Sequence, residues 1–272
     1  MPSVIVITGA SSGVGRAAAE QLAARGEEVV LVGRDPDRLA AAAEAVRVAG
    51  GGREPGRHRA DFERLDDVRE LAATLLAAYP KIDVLVNNAG ALISRYRRTP
   101  DGFEATVQGN HLAPFLLTEL LREPLRDGRV VNTASDAHRG GRVDPEDFTS
   151  TPERYRSFPV YSASKAANIL FTAEAARRWP DILSVSFHPG VVRSNFGDGA
   201  AIRFFYRYAP FLVTPEKAGA LLTWLATAPA GELENGAYYQ GRKVRTPAST
   251  ASDPRLAARL WETSAAAVGV PA

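Results

Sequence analysis

Residues Thr8-Gly9-Ala10-Ser11-Ser12-Gly13-Val14-Gly15 follow directly on the apolar run Val4-Ile5-Val6-Ile7, and a helical stretch continues from them to about Gly26. A short β-branched run that stops at clustered glycines and then takes up helical periodicity reads as strand, tight turn and helix. Glycines in such a turn let backbone approach a pyrophosphate closely and let the helix pack tightly on the strand. The new helix directs unpaired N–H groups and the positive end of its dipole at the phosphates. A plain glycine-rich turn would hold the same glycines, but strand before and helix after favour the phosphate reading.

Outward from this turn, short apolar runs alternate with longer helical ones. Strands are predicted at Val29–Val32, Arg57–Ala60 (weakly written), Val84–Val86, Val130–Asn132, Leu183–Phe187 and Ala237–Gln240. Asp35-Pro36 and Asp253-Pro254 announce helices by an N-cap acid followed by proline at the first helical position. The expected fold is α/β: a doubly wound, Rossmann-type parallel sheet of about seven strands with helices on both faces. Neither a repeat nor a low-complexity linker interrupts the series, so residues 1–272 read as one domain. Two connections, Asp136–Pro159 and Asn195–Pro215, exceed ordinary lengths and are expected to be substrate loops.

The chain of 272 residues is 45% hydrophobic and 24% charged, with a net charge of +2. This is the composition of a globular domain with a sizeable core. It gives no electrostatic case for nucleic acid. The absence of cysteine excludes disulfides, thiol catalysis and cysteine metal sites. His58, His111, His138 and His188 have no partners at metal-ligand spacing, so no metal is expected. Neither a signal peptide nor a membrane span fits the N-terminus, and a cytoplasmic location is expected.

The second predicted strand runs into Gly33-Arg34. An acid at this place would select NAD by accepting hydrogen bonds from a ribose 2′-hydroxyl. Arg34 would instead pair with a 2′-phosphate, pointing to NADP(H). Tyr161-Ser162-Ala163-Ser164-Lys165 puts a phenol and an ammonium one helical turn apart on one face. A tyrosine with a pKa of about 10 exchanges protons poorly at neutral pH. The adjacent cation favours its phenolate, fitting Tyr161 to give or take a proton at a substrate oxygen, with Lys165 also reaching the nicotinamide ribose. Ser135 ends the run Val130-Val131-Asn132-Thr133-Ala134-Ser135, where open α/β sheets bind their ligands; its hydroxyl would orient the substrate oxygen.

The spacing Gly9-x-x-x-Gly13-x-Gly15, with Asn87-Asn88-Ala89-Gly90 and Tyr161-x-x-x-Lys165 in order, resembles the short-chain dehydrogenase/reductase family. The resemblance spans roughly Val4 to Gly269. It implies that Gly9, Ser11, Ser12, Gly13, Val14 and Gly15 hold the cofactor phosphates. Asp61 and Phe62 would lie beside the adenine, and Asn88, Ala89 and Gly90 along the cofactor backbone. Pro189, Gly190, Val192 and Ser194 would lie near the nicotinamide carboxamide, with Tyr161 and Lys165 also touching the cofactor. It further implies a catalytic tetrad of Asn110, Ser135, Tyr161 and Lys165, with Asn110 holding a water in a proton relay to the lysine. A helix-kink amide bonded to backbone is the other reading of Asn110. Ala134 departs from the family's commoner double serine, and Ser194 replaces its usual threonine.

Asn110-His111-Leu112, Ser164-Lys165-Ala166-Ala167-Asn168 and His188-Pro189-Gly190-Val191-Val192-Arg193 look most like the retinol-dehydrogenase-like branch. The expected reaction is hydride transfer between NADP(H) and a carbonyl or secondary alcohol. A ketone or aldehyde reductase of a bulky or apolar substrate, such as a secondary-metabolite ketoreductase, fits Phe196, Phe204, Phe205, Tyr206, Tyr208 and Phe211 in the second long loop. Those aromatics would equally pack on the loop's own core or on a partner. Alternatives are a retinol-like alcohol dehydrogenase working oxidatively and a catalytically silent NADP-binding sensor. Many members of the family pair through helices beside the active site and some act alone, so a homo-oligomer and a monomer both stay open.

Overall fold

A computed structural model describes residues 2–192 and 212–272. Seven parallel strands, β1 (Val4–Thr8), β2 (Glu28–Gly33), β3 (Gly56–Arg59), β4 (Val84–Asn87), β5 (Arg129–Thr133), β6 (Leu183–His188) and β7 (Tyr238–Gln240), form one sheet with the short β8 (Lys243–Val244). The order is β3-β2-β1-β4-β5-β6-β7-β8, with only β8 antiparallel to its neighbour. The chain winds outward from β1 in one direction through β2 and β3, then returns to β4 and winds the other way. That reversal is the crevice where open α/β sheets receive ligands.

The doubly wound parallel sheet matches expectation, and the strands fall within a residue of their predicted places. To the seven expected strands the structure adds β8, two exposed residues with no apolar pattern to announce them. β3, read one residue late, is an edge strand of sequence Gly-Arg-His-Arg with alternate residues exposed. Its neighbours are buried on both faces and therefore read as continuous apolar runs.

Strand alternation divides the core. Ile5 and Ile7 point to the layer of α1 (Gly13–Ala23), α2 (Pro36–Ala49) and the helix Pro215–Thr227. Val6 points to the opposite layer, built from α3 (Leu65–Ala78), α5 (Ala113–Leu120) and α6 (Ser157–Arg178) and closed by the helix Pro254–Val268. A short helical turn, α4 (Ala105–Val107), precedes α5; the two later helices are α7 and α8. The predicted caps form: Asp35 accepts from the N–H groups of Asp37 and Arg38, and Asp253 from that of Arg255. No helix among the described residues is long and apolar enough to cross a membrane.

The expected loop Asp136–Pro159 ends earlier than its polarity suggested. A 3-10 turn occupies Asp136–Gly140, and α6 already begins at Ser157, taking in Phe158 and Pro159. Of Asn195–Pro215, residues 195–211 lie outside the described residues, with Phe196, Phe204, Phe205, Tyr206, Tyr208 and Phe211 among them, as does Ser194. Pro215 belongs to α7, which Thr214 caps. The flanks of residues 193–211 are joined: Val192 and Val213 form a parallel bridge, and Val213 N–H donates to Val191 O at 2.8 Å.

Candidate active site

All strands but β8 are parallel, so each of the first six delivers the residue after it to the same sheet edge. Gly9–Gly15, Arg34, Asp61, Asn88–Gly90, Ser135 and Pro189-Gly190 follow the ends of β1 to β6 in turn. In the first turn, a Cβ built on Gly15 would stand 2.6 Å from both Asn88 Nδ2 and Gly9 O. Gly9 has φ of +66° and would meet Ala89 Cα at 2.9 Å. Side chains at either place would collide with backbone or with a fixed amide. Asn88 donates through Nδ2 to Thr8 O at 3.0 Å, and its own N–H donates to Thr8 Oγ1 at 3.0 Å. The ends of β1 and β4 are thus laced together at the crevice.

Ser12 stands at the N-cap of α1 in extended conformation without bonding the helix's first N–H groups, unlike the capping acids of α2 and α8. The first N–H groups of this helix thus have no side-chain cap, the condition under which a helix N-terminus receives an anion. Ser11 faces the end of β2, since a Cβ on Gly33 would stand 3.2 Å from Ser11 Cβ. Arg34 is exposed beyond it. Its guanidinium is paired with Glu63 at 3.0 Å and lies 3.8 Å from Asp61. Glu63 also holds Arg97. Sequence reading missed this carboxylate, whose only signal was its place two residues after Asp61. Phe62 is buried in the core on the α3 side, so its side chain serves packing.

At the reacting end, Asn110 sits in a π-turn, Gln108–Leu112, between α4 and α5. Pro114 lies four residues on, and it has no N–H to return to the carbonyl of Asn110. The ladder shifts instead, with Ala113 N–H bonding Gln108 O. Both amide hydrogens of Asn110 are used: Nδ2 donates to Ala91 O and Ser164 Oγ, each at 3.0 Å, while Oδ1 accepts from Ala91 N at 2.9 Å. Ser164 in turn donates to Tyr161 O at 2.7 Å. The side chain thus bonds backbone on both its oxygen and its nitrogen, as a kink amide does, with one acceptor position of Oδ1 not taken up by these bonds.

Tyr161 and Lys165 share one face of α6, with the ammonium 5.6 Å from the phenol ring centroid. Lys165 is 2% exposed and donates to Thr133 O at 3.0 Å. Burial pushes its ammonium down to about 8. Gly90 measures how closely the parts meet, since a Cβ there would lie 3.0 Å from Asn110 Oδ1 and 3.4 Å from Lys165 Nζ. Ser135 Oγ accepts from Ala137 N at 3.2 Å, leaving the hydroxyl proton to be given away. Phe158, 57% exposed, lies 6.5 Å from the Tyr161 ring; its place in a polar stretch hid it from sequence reading.

Asn87, outside the expected cofactor set, braces the centre from below. Its Nδ2 donates to Thr118 Oγ1 and Asn132 Oδ1, and Asn132 donates to Thr172 Oγ1, all at 2.9 Å. Two neighbouring strands and the helices α5 and α6 are thereby joined beneath the reacting groups.

The family description short chain dehydrogenase matches residues 3–200. A Streptomyces sp. (strain C5) protein, provisionally named daunorubicin C-13 ketoreductase DnrU, is 50% identical over 97% of this chain and 92% of its own length. Human retinol dehydrogenase 13 is 34% identical over 98% of this chain and 85% of its own. Among solved structures, an uncharacterized protein from Mycobacterium paratuberculosis aligns with a TM-score of 0.80 at 31% identity, covering 99% and 96% of the two chains. A short chain dehydrogenase from Burkholderia cenocepacia J2315 in complex with NADP aligns at 0.68 and 27%, covering 87% and 94%. With its glycine turn, crevice and Tyr-x-x-x-Lys helix in place, the chain belongs to the short-chain dehydrogenase/reductase family, in the retinol-dehydrogenase-like branch.

Proposed function

We propose that this chain is an NADP(H)-dependent ketoreductase that reduces the carbonyl of a bulky, apolar substrate to a secondary alcohol. The observation that carries the reading is the convergence of Tyr161, Lys165 and Gly90 at the edge where the glycine turn opens. The turn fits a dinucleotide: its glycines let the strand end, the helix start and the Asn88 segment pack directly on one another, and the N-terminus of α1 lacks a side-chain cap. For NADP(H) over NAD(H), support comes from Arg34 with no acid at Gly33, and from the NADP complex of the Burkholderia relative. A 2′-phosphate would draw Arg34 away from Glu63.

When bound, the nicotinamide supplies or accepts the hydride. The chain's own work is orientation and proton handling. Ser135 donates its hydroxyl proton in a hydrogen bond to the substrate oxygen and steadies the charge that grows there. Tyr161 gives that oxygen its proton. Lys165 remains largely charged at neutral pH and favours the phenolate left behind. Asn110 positions the turn beside Gly90, and its backbone carbonyl, relieved of a helical donor by Pro114, offers an acceptor to a water. Phe158 offers an apolar wall beside Tyr161.

The ketone preference is supported by the DnrU-like relative and by this exposed aromatic. Oxidation of a retinol-like alcohol is the second reading, favoured by the match to retinol dehydrogenase 13 over nearly the whole chain. The test is consumption of NADPH and of NADH with a panel of aromatic polyketide ketones, small aliphatic aldehydes and, in reverse, retinol. The proposal expects the ketones to be preferred with NADPH and Tyr161→Phe to abolish turnover. Rapid turnover of small aldehydes beside inert polyketide ketones would contradict the substrate class, and a fully active Tyr161→Phe variant the mechanism.

A further inference from the structure

His138 lies in the turn that leaves β5, three residues beyond Ser135, and is 0% exposed. Its Nδ1 is 2.7 Å from Ser135 O, and its Nε2 receives the N–H of Ala248 at 3.1 Å. A backbone carbonyl only accepts and a backbone N–H only donates. The two partners therefore assign the tautomer: Nδ1 carries the proton and Nε2 is bare. The ring meets the edge of Tyr238 from β7 at a centroid distance of 5.0 Å. A parallel tie joins the same two segments, with Thr250 Oγ1 donating to Gly141 O at 3.2 Å. On the other side of Ser135, Asp136 N–H donates to His188 Nδ1 at 3.2 Å.

From this geometry we propose that His138 is a positioning residue for Ser135, its Nδ1–H holding the Ser135 carbonyl while Ala248 selects the tautomer that makes this possible. A residue that only filled the core would not need a donor and an acceptor at opposite corners of one ring, each met by backbone. Burial keeps the imidazole below its ordinary range, and the groups facing it are Asp136, Arg139, His188 and Tyr238. It is consequently neutral at the pH where the bare Nε2 is required. The inference rests on the reading of Ser135 given under the proposed function.

Two half-replacements separate the bonds. His138→Asn places an amide donor near the former Nδ1 and reaches Ser135 O but not Ala248. His138→Gln places its amide oxygen near the former Nε2 and accepts from Ala248, leaving Ser135 O unmet. With NADPH and the best ketone of the panel, His138→Asn should keep kcat within about threefold of the parent. His138→Gln should lower kcat roughly thirtyfold, with the Kd for NADPH unchanged. Backbone hydrogen exchange over residues 134–141, which needs no substrate, should quicken in His138→Gln only. Equal losses in both variants, accompanied by weaker NADPH binding, would make His138 ordinary core and overturn the proposal, as would full activity of His138→Gln.

Should His138→Gln not accumulate as folded protein, nitrogen-15 NMR of the imidazole in the parent protein tests the same geometry: Nδ1 should carry the proton and Nε2 should be bare. A ring protonated at Nε2 instead would leave the Ser135 carbonyl without its donor and overturn the inference. Ser135→Ala keeps the two levels apart. If it leaves kcat intact, the assignment of Ser135 fails and the strut with it. If it abolishes turnover while His138→Gln does not slow it, only the strut fails.

Discussion

The cofactor end and the reacting end of this molecule are built by opposite means. Around Gly9 and Gly15 the site is made of what is missing: the Cβ atoms that would strike Gly9 O, Ala89 or the Asn88 amide. Around Lys165 it is made of polar groups placed where they are costly, a buried ammonium and a kinked helix, held by Thr133 O, Ala91 and Ser164. The first kind of site tolerates no additions. The second tolerates no removals, and its burden on the fold should be measurable.

The sharpest way to expose that burden is Lys165→Met. It should lower kcat about a thousandfold, the scale of a lost proton-transfer partner. It should also raise stability by on the order of 1 kcal/mol, because an ammonium that burial pushes down to about 8 resists being there. Asn168 Nδ2 still meets Thr133 O at 3.2 Å, so that carbonyl keeps a donor. The parent enzyme carries the matching signature in alkali. Between about pH 8 and 10.5 the unfolded chain holds a proton at this lysine that the native state has shed. Stability from this group therefore rises with pH across that window. Thermal melts of the two proteins across pH 7 to 10 check both statements, and a Lys165→Met protein less stable than its parent would remove the contrast.

Acid acts on the same half of the molecule. His111, fully buried and bonded through Nε2 to Ser264 at 2.9 Å, is pushed down to about 4 by burial. Between pH 6.5 and 4 the unfolded chain takes up a proton there that the native state refuses, so stability falls as pH drops. The loss approaches roughly 3 kcal/mol at most. Urea unfolding at pH 4.5 and 7 should show it, with His111→Gln flattening the slope.

Next in size, Gly15→Ala should destabilise the fold by about 2 kcal/mol through overpacking against Asn88 and Gly9 O, and weaken NADPH binding with it. Equal affinity for NADPH in that variant, by fluorescence titration, would show that the cofactor end does have room to spare. The smallest change is Arg34→Ala, which should raise the KM for NADPH about tenfold while leaving that for NADH nearly unchanged. Steady-state kinetics with both cofactors settle it, and equal effects on the two would sink the 2′-phosphate reading.

The same contrast explains what was legible in the sequence. Missing side chains are visible as closely spaced glycines, so the turn at Gly9–Gly15 could be read directly, while Asn88–Gly90 was legible through its resemblance to the family's motif. Strands buried on both faces announced themselves through β-branched residues, while β3 and β8, exposed at the margins, did not. What escaped reading were relations between distant residues. Glu63 matters because β2, β3 and the segment bearing Arg97 converge on it, and His138 because a segment 110 residues further on reaches it. The π-turn was half visible, since Pro114 falls four residues after Asn110, but only packing shows that the Asn110 side chain bonds Ala91.

The bridge between Val192 and Val213 has a practical corollary for redesign. Because the neck of that connection is stitched shut by backbone, the fold need not depend on how long the stretch between those valines is. Closing a loop twice as long adds only about 0.6 kcal/mol of chain entropy. Insertions between these valines should thus cost the fold little, whatever they do to turnover.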